Sequence, residues 1–149
     1  MALQTAAIAN SIAGLSVAGL SIRDVDEKPA GVDARQPTLF PLENYITDFN
    51  MVRDSFGGGS TAKMTVTYTL NYRLCYKPIG AGRSNIISWF DDVVDMTMLF
   101  IDAVLAVETL TGLIDIIPVE ITNMGGVEDP ANNIFYGCDI GVNVKEFVN

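Results

Sequence analysis

Met64, Val66, Tyr68, Leu70, Tyr72, Leu74 and Tyr76 occupy alternate positions along one uninterrupted stretch. Thr65, Thr67, Thr69, Asn71, Arg73 and Lys77 lie between them, and Cys75 is the one apolar exception. A period of two places one set on each face of a β-strand, one face apolar and one polar. No helix accommodates that pattern, so the stretch commits the chain to a half-buried sheet. The strand spans roughly 45 Å, longer than most. A strand of that length is expected to project past its own core and meet a neighbouring subunit.

The rest of the chain supplies what covers the apolar face. Ile8, Ile12 and Leu15 fall at helical spacing, which predicts an amphipathic helix over about residues 3–15, closed by Gly14 or Gly19. GLSIRDV, residues 19–25, reads as a short strand. Residues 26–41 are punctuated by Pro29, Gly31, Pro37 and Pro41, and residues 38–49 hold a short edge strand in which Pro41 needs an edge or a bulge. Ser84 or Asn85 caps a second helix running to about Val107. Ile86, Phe90, Val93, Val94, Thr97, Ile101 and Val104 line its core side, widened by Leu99 and Phe100. Asp91, Asp95 and Asp102 fall opposite. Residues 113–122 read as a third strand with Pro118 at an edge or bulge, residues 123–133 as a loop, and residues 134–144 as a closing alternating strand. Gly137 and Gly141 share the face of that strand where something approaches closely. The order α-β-β-β-α-β-β implies an α+β fold, a mostly antiparallel mixed sheet with two main helices packed on one face. At 149 residues it is read as one domain, with mobile loops near 50–60 and 123–133.

Charge and composition narrow the function. Lys and Arg number 9 against 18 Asp and Glu, a net charge of −9. A chain this acidic is poorly suited to neutralising nucleic-acid phosphates or an anionic membrane surface. Residues 2–20 lack the positive start of a secretory signal and are interrupted by polar residues, so a soluble, intracellular chain is expected. There is no histidine, which excludes Ser-His-Asp and Cys-His catalysis. Cys75 and Cys138 sit in apolar alternating segments and read as buried thiols rather than a disulfide or metal pair.

Each remaining cluster has an ordinary reading. Asp91, Asp92 and Asp95 suggest paired carboxylates, but one helix face offers no partner ligands, and a solvated acidic first turn accounts for them. Asp24, Asp26 and Glu27 resemble the start of a calcium loop whose glycine and closing glutamate are missing. Gly57, Gly58 and Gly59 are followed by no phosphate-loop lysine, so Phe56–Ser60 is read as a loop that orders on assembly. Tyr68, Tyr72 and Tyr76 form a same-face stripe that suits core and interface packing better than base stacking at this charge. Arg73, on the polar face, is expected in a cross-strand or intersubunit ion pair.

The layout as a whole resembles a known family. A first helix runs into LSIRDVDEKPAG and TLFPLENYITDF. VTYTLNYRLCYKPIGAGR, the acidic helix and GGVEDPANNIFYGCDIGVNVKEF follow. Together they are similar to the tail terminators, small tail-completion proteins of long-tailed bacteriophages. The resemblance covers nearly the whole chain. It implies a structural virion protein of the tail–neck, assembled in the host cytoplasm as a hexameric ring of identical subunits. The ring would cap the tail tube protein, stop its elongation and present a docking surface to the head connector. DNA would pass through without specific binding, and no cofactor, metal, catalytic residue or membrane is implied. On this reading Phe56, Gly57, Gly58, Gly59, Arg73 and Asp129 contribute to subunit or tube contacts, and Asp91, Asp92 and Asp95 to an acidic lumen. Other readings are a tail tube or different head–tail joining subunit, a small histidine-free carboxylate hydrolase or isomerase, and a peptide-binding module using a strand edge.

Overall fold

A computed structural model describes residues 3–53, 64–79, 86–106 and 115–148. The expected Phe56–Ser60 tip, with Phe56, Gly57, Gly58 and Gly59, and the expected helix caps Ser84 and Asn85 lie outside the described residues. The elements are α1 (Thr5–Ala13), β1 (Ser21–Ile22), β2 (Thr38–Arg53), β3 (Met64–Pro78), α2 (Ile86–Leu105), β4 (Asp115–Glu128) and β5 (Ile134–Val148). The fold is α+β, with strand order β1-β2-β3-β5-β4. Only the short β1–β2 pair is parallel. No described helix is long and apolar enough to cross a membrane.

The period-two pattern of β3 becomes its burial pattern. Val66, Tyr68, Leu70, Tyr72 and Leu74 pack with Cys138, Ile140, Val142 and Val144 of β5 on one face. Ile8 and Ile12 of α1 and Val93, Phe100 and Val104 of α2 cover that face. Register explains why one strand organises the rest. β3 pairs with β2 on one side and with β5 from Met64–Val148 to Pro78–Phe135 on the other. It is the centre of the sheet, so the expectation that it projects past its core is corrected: its length is used up by two long neighbours.

Among the described residues, the opposite face is covered at one end. There Cys75 breaks the alternation, and it does so because it belongs to a second small core with Val32, Phe40, Val127 and Phe135. The segment between β1 and β2 folds over this end and places Val32 in it. Both cysteines are free and buried, as the sequence suggested.

Two element boundaries differ from expectation. β2 runs to Arg53, so residues 50–53 of the expected loop are strand. Its register shifts between Pro41 and Ile46 and again between Thr47 and Asn50, and Asp48 adopts φ 55. β4 runs to Glu128, so most of the expected 123–133 loop is strand as well. Asn123 (φ 53) and Gly125 (φ 144) take up a register shift between Thr122 and Gly125. The shifts at Asp48 and Asn123 set two residues against one and are β-bulges, which read as turns in a sequence because they use the same residues, whereas the Pro41–Ile46 shift sets four residues of β2 against Asn71. The shift between Ile116 and Val119 spans Pro118, as the edge-or-bulge expectation requires.

Candidate assembly surfaces

Among the described residues, two extended apolar strips are exposed. The first is the outer half of β2. β1 pairs with Thr38 and Leu39, and among the described residues no strand pairs with the edge beyond them. Along it Ile46, Phe49, Met51 and Val52 are between 40 and 54% exposed. Ile46 and Met51 lie opposite Leu70 and Val66 on the helix-covered face, and Phe49 stacks on Tyr68 with ring centroids 6.5 Å apart. Val52 falls on the other face, in a row with Thr65 and the 63% exposed Phe147 of β5. Apolar side chains therefore stand on both faces of this strip.

The second surface is one flank of α2. Val93, Thr97, Phe100 and Val104 point into the core. Ile87, Phe90, Met98 and Leu105 are exposed, Ile87 to 82%, and half-buried Val94 and Ile101 complete a continuous stripe at helical spacing. The sequence reading placed Phe90 and Leu99 against the sheet; both are about half exposed. The helix carries more apolar surface than one sheet face covers. Met96, on the opposite flank, faces Gly19 just ahead of β1. The stripe therefore runs on the flank away from Gly19 and β1. Scattered exposed apolar residues are ordinary, whereas contiguity makes these two strips the candidate contact surfaces.

The polar residues singled out in the sequence are mostly engaged within the chain. Arg73 and Asp139 are directly opposite in the β3–β5 register and form a bidentate pair, Nε to Oδ1 at 2.6 Å and Nη2 to Oδ2 at 3.0 Å. Arg73 also donates to the Glu128 carbonyl, and Asn123 donates to Asp139 at 2.8 Å. The hydrogen bond to Asp139 raises the guanidinium above its ordinary value. The cross-strand use expected of Arg73 is the one seen. Asp139 and Asn123 were not singled out in the sequence, because only the register brings them to Arg73.

Asp129 organises the turn between β4 and β5. Its carboxylate accepts the N–H groups of Val32 (2.8 Å), Ala131 (3.0 Å) and Asn133 (2.8 Å). Burial alone would raise this carboxyl; the backbone donors, Val32 first, outweigh it and hold it below the usual range. The residue is 4% exposed and fully used in pinning the β1–β2 segment to the turn, so its side chain is not presented to a neighbour. Between these parts lies a cleft of about 600 Å³ lined by Arg23, Phe40, Tyr45, Arg73, Glu128 and Asp129 among others. Arg23 donates to the carbonyls of Ala30 and Gly31. Both guanidinium groups facing the cleft are thus committed to acceptors of the chain, as a structural joint requires.

Of the acidic trio, Asp92 is half-buried and accepts the Tyr76 hydroxyl at 3.2 Å. Asp91 and Asp95 are exposed one turn apart, and Asp102 continues their ridge beside the apolar stripe. No cluster of three or more metal-ligating side chains occurs among the described residues. No protein-family profile matches the chain, and no curated protein matches it significantly.

The buried titratable groups set the pH range of stability. Burial pushes the Cys75 thiol from 9.0 up to about 12, with the Asp129 charge adding to it. Burial likewise pushes the Tyr45 hydroxyl from 10.0 up to about 12, and Tyr68 and Tyr72 move in the same direction. A group whose folded value is raised binds its proton more tightly in the native state, so its contribution is complete below the unfolded value and disappears as pH rises to the folded one. Asp129 acts with the opposite sign and loses its contribution as pH falls below 3.8. Urea-unfolding free energy is therefore expected to be flat between about pH 5 and 8.5 and to fall steadily from pH 9 to 12, well before any oligomer effect. Unchanged stability at pH 11 would contradict the burial of these hydroxyls and thiols.

Proposed function

We propose that this chain is a structural subunit that closes into a ring, of the tail-terminator kind its sequence layout resembles. The observation that carries the reading is the pair of unlike apolar surfaces, one on outer β2 and the other on the far flank of α2. A subunit with two different contact patches associates head to tail, and such contacts close into a ring when the rotation between copies permits. A phage tube-capping ring requires that geometry, plus a passage to which DNA does not adhere. A net charge of −9 suits the second requirement, since like charge repels the phosphates. The partners on this reading are further copies of the chain, the tail tube protein on one side of the ring and the head connector on the other.

The test is tube assembly followed by electron microscopy. Tube subunits polymerised in the presence of this protein are expected to stop growing, with one extra ring at one end. Incorporation along the whole tube would instead make it a tube subunit. Absence from the tubes altogether would overturn the tail reading.

A further inference from the structure

We infer that outer β2 of one copy packs along the α2 flank of the next copy. This rests on the self-assembly reading above and names the contact that would carry it. Three observations join these two surfaces. The first is length. Residues 46–53 of β2 run about 25 Å at the rise of a strand. The stripe from Ile87 to Leu105 runs about 27 Å at the rise of a helix. One strip therefore covers the other along its full extent.

The second is charge. α2 carries four aspartates, Asp91, Asp92, Asp95 and Asp102, and no Lys or Arg. Outer β2 carries the exposed Asp48 at its bulge and ends on the exposed Arg53, and Lys145 stands over the Phe147 ring nearby, 5.1 Å from its centroid. Cations at the rim of one strip meet an acidic ridge at the rim of the other, which fixes orientation more than it adds affinity. The third is placement. The α2 strip lies on the flank away from Met96 and Gly19, and outer β2 lies on the other side of β3 from β5 and β4, so the two strips are separate surfaces and each copy uses both. A strip apolar on both faces also suits seating against a helix flank beside a sheet edge, where one element covers each face.

The contact is tested with two double variants and their mixture, read by native mass spectrometry with circular-dichroism melting as the folding control. Met51→Asp/Val52→Asp removes the strand strip. Ile87→Asp/Met98→Asp removes the helix strip. Ile87 stands mostly in solvent and Met51, Val52 and Met98 are 40 to 48% exposed, so the folds are expected to survive. If either double variant melts early, Val52→Asp and Met98→Asp alone replace them. Each variant is expected to self-associate at least about a hundred-fold more weakly than the wild type. Mixed one to one, they retain one intact contact between them and form a dimer of one of each and nothing larger. Variants that assemble like the wild type, or a mixture that stays monomeric, would overturn the pairing while the wild-type oligomer leaves self-assembly standing. A wild-type protein that is itself monomeric would overturn both.

Discussion

Gly137→Ala is expected to destabilise the protein by more than about 3 kcal/mol, enough to prevent folding of a marginally stable chain. A Cβ on Gly137 would overlap the Leu74 carbonyl oxygen and come within 3.1 Å of Val127 Cγ2. The first contact is with backbone in the middle of the sheet, where no rotamer change gives relief. The crowding follows from the register. β3 and β5 pair regularly up to Cys75–Gly137, then shift before Lys77, so Gly137 sits at the irregularity with the Leu74 backbone against it. Gly126→Ala is the control, because its Cβ meets only Ile79 and Ile134 side-chain atoms at 3.4 and 3.6 Å. Urea unfolding of the two variants is expected to give a large loss for the first and less than about 1 kcal/mol for the second. Equal, small losses would mean that the β3–β5 register is wrong at its bulge.

Glu146→Ala is expected to cost about 3 kcal/mol, most of it from partners left unpaired. Glu146 is 2% exposed and lies on the helix-covered face near the end of β5. Its Oε1 accepts the Gln4 N–H at 2.7 Å, and its Oε2 accepts the Tyr68 hydroxyl at 2.6 Å. Tyr68 in turn accepts from Thr5 at 3.1 Å. α1 has no side-chain cap of its own at Gln4 and no acidic residue in its first turn. A strand residue 142 positions away therefore supplies the anion that a helix N-terminus favours. Glu146→Gln keeps an acceptor for Gln4 and is expected to lose only about 1 kcal/mol. Hydrogen exchange gives the sharper reading. In Glu146→Ala the amides of α1 are expected to exchange faster before those of β3 and β5 do. Uniform acceleration across the sheet would mean that Glu146 supports the core rather than the helix.

How much of this was legible in the sequence depends on whether local spacing carried the information. β3 was legible because its alternation holds from Met64 to Leu74 and β5 repeats it. The close approach at Gly137 and Gly141 was legible as two glycines on one face of a strand. The ends of β2 and β4 were not. Asp48, Asn123 and Gly125 sit at positive φ inside bulges, and such residues signal a turn whether or not the chain turns. The bidentate Arg73–Asp139 pair was half legible: the need for a partner shows in one strand, its identity only in the register. Glu146 was invisible because its partners lie at the other end of the chain. The α2 flank was misassigned for a different reason. A wide apolar face was read as wholly buried, yet the sheet covers only the arc of Val93, Thr97, Phe100 and Val104, and the surplus became surface.

That surplus is what the account rests on, and oligomeric mass tests it most directly. Native mass spectrometry of the wild-type protein across a range of concentrations is expected to show a single closed species. For a hexameric ring it weighs six times the 16.1 kDa chain and changes little in size as concentration rises. A chain that stays at 16.1 kDa throughout, or a two-fold dimer that consumes one patch on itself, would contradict the ring.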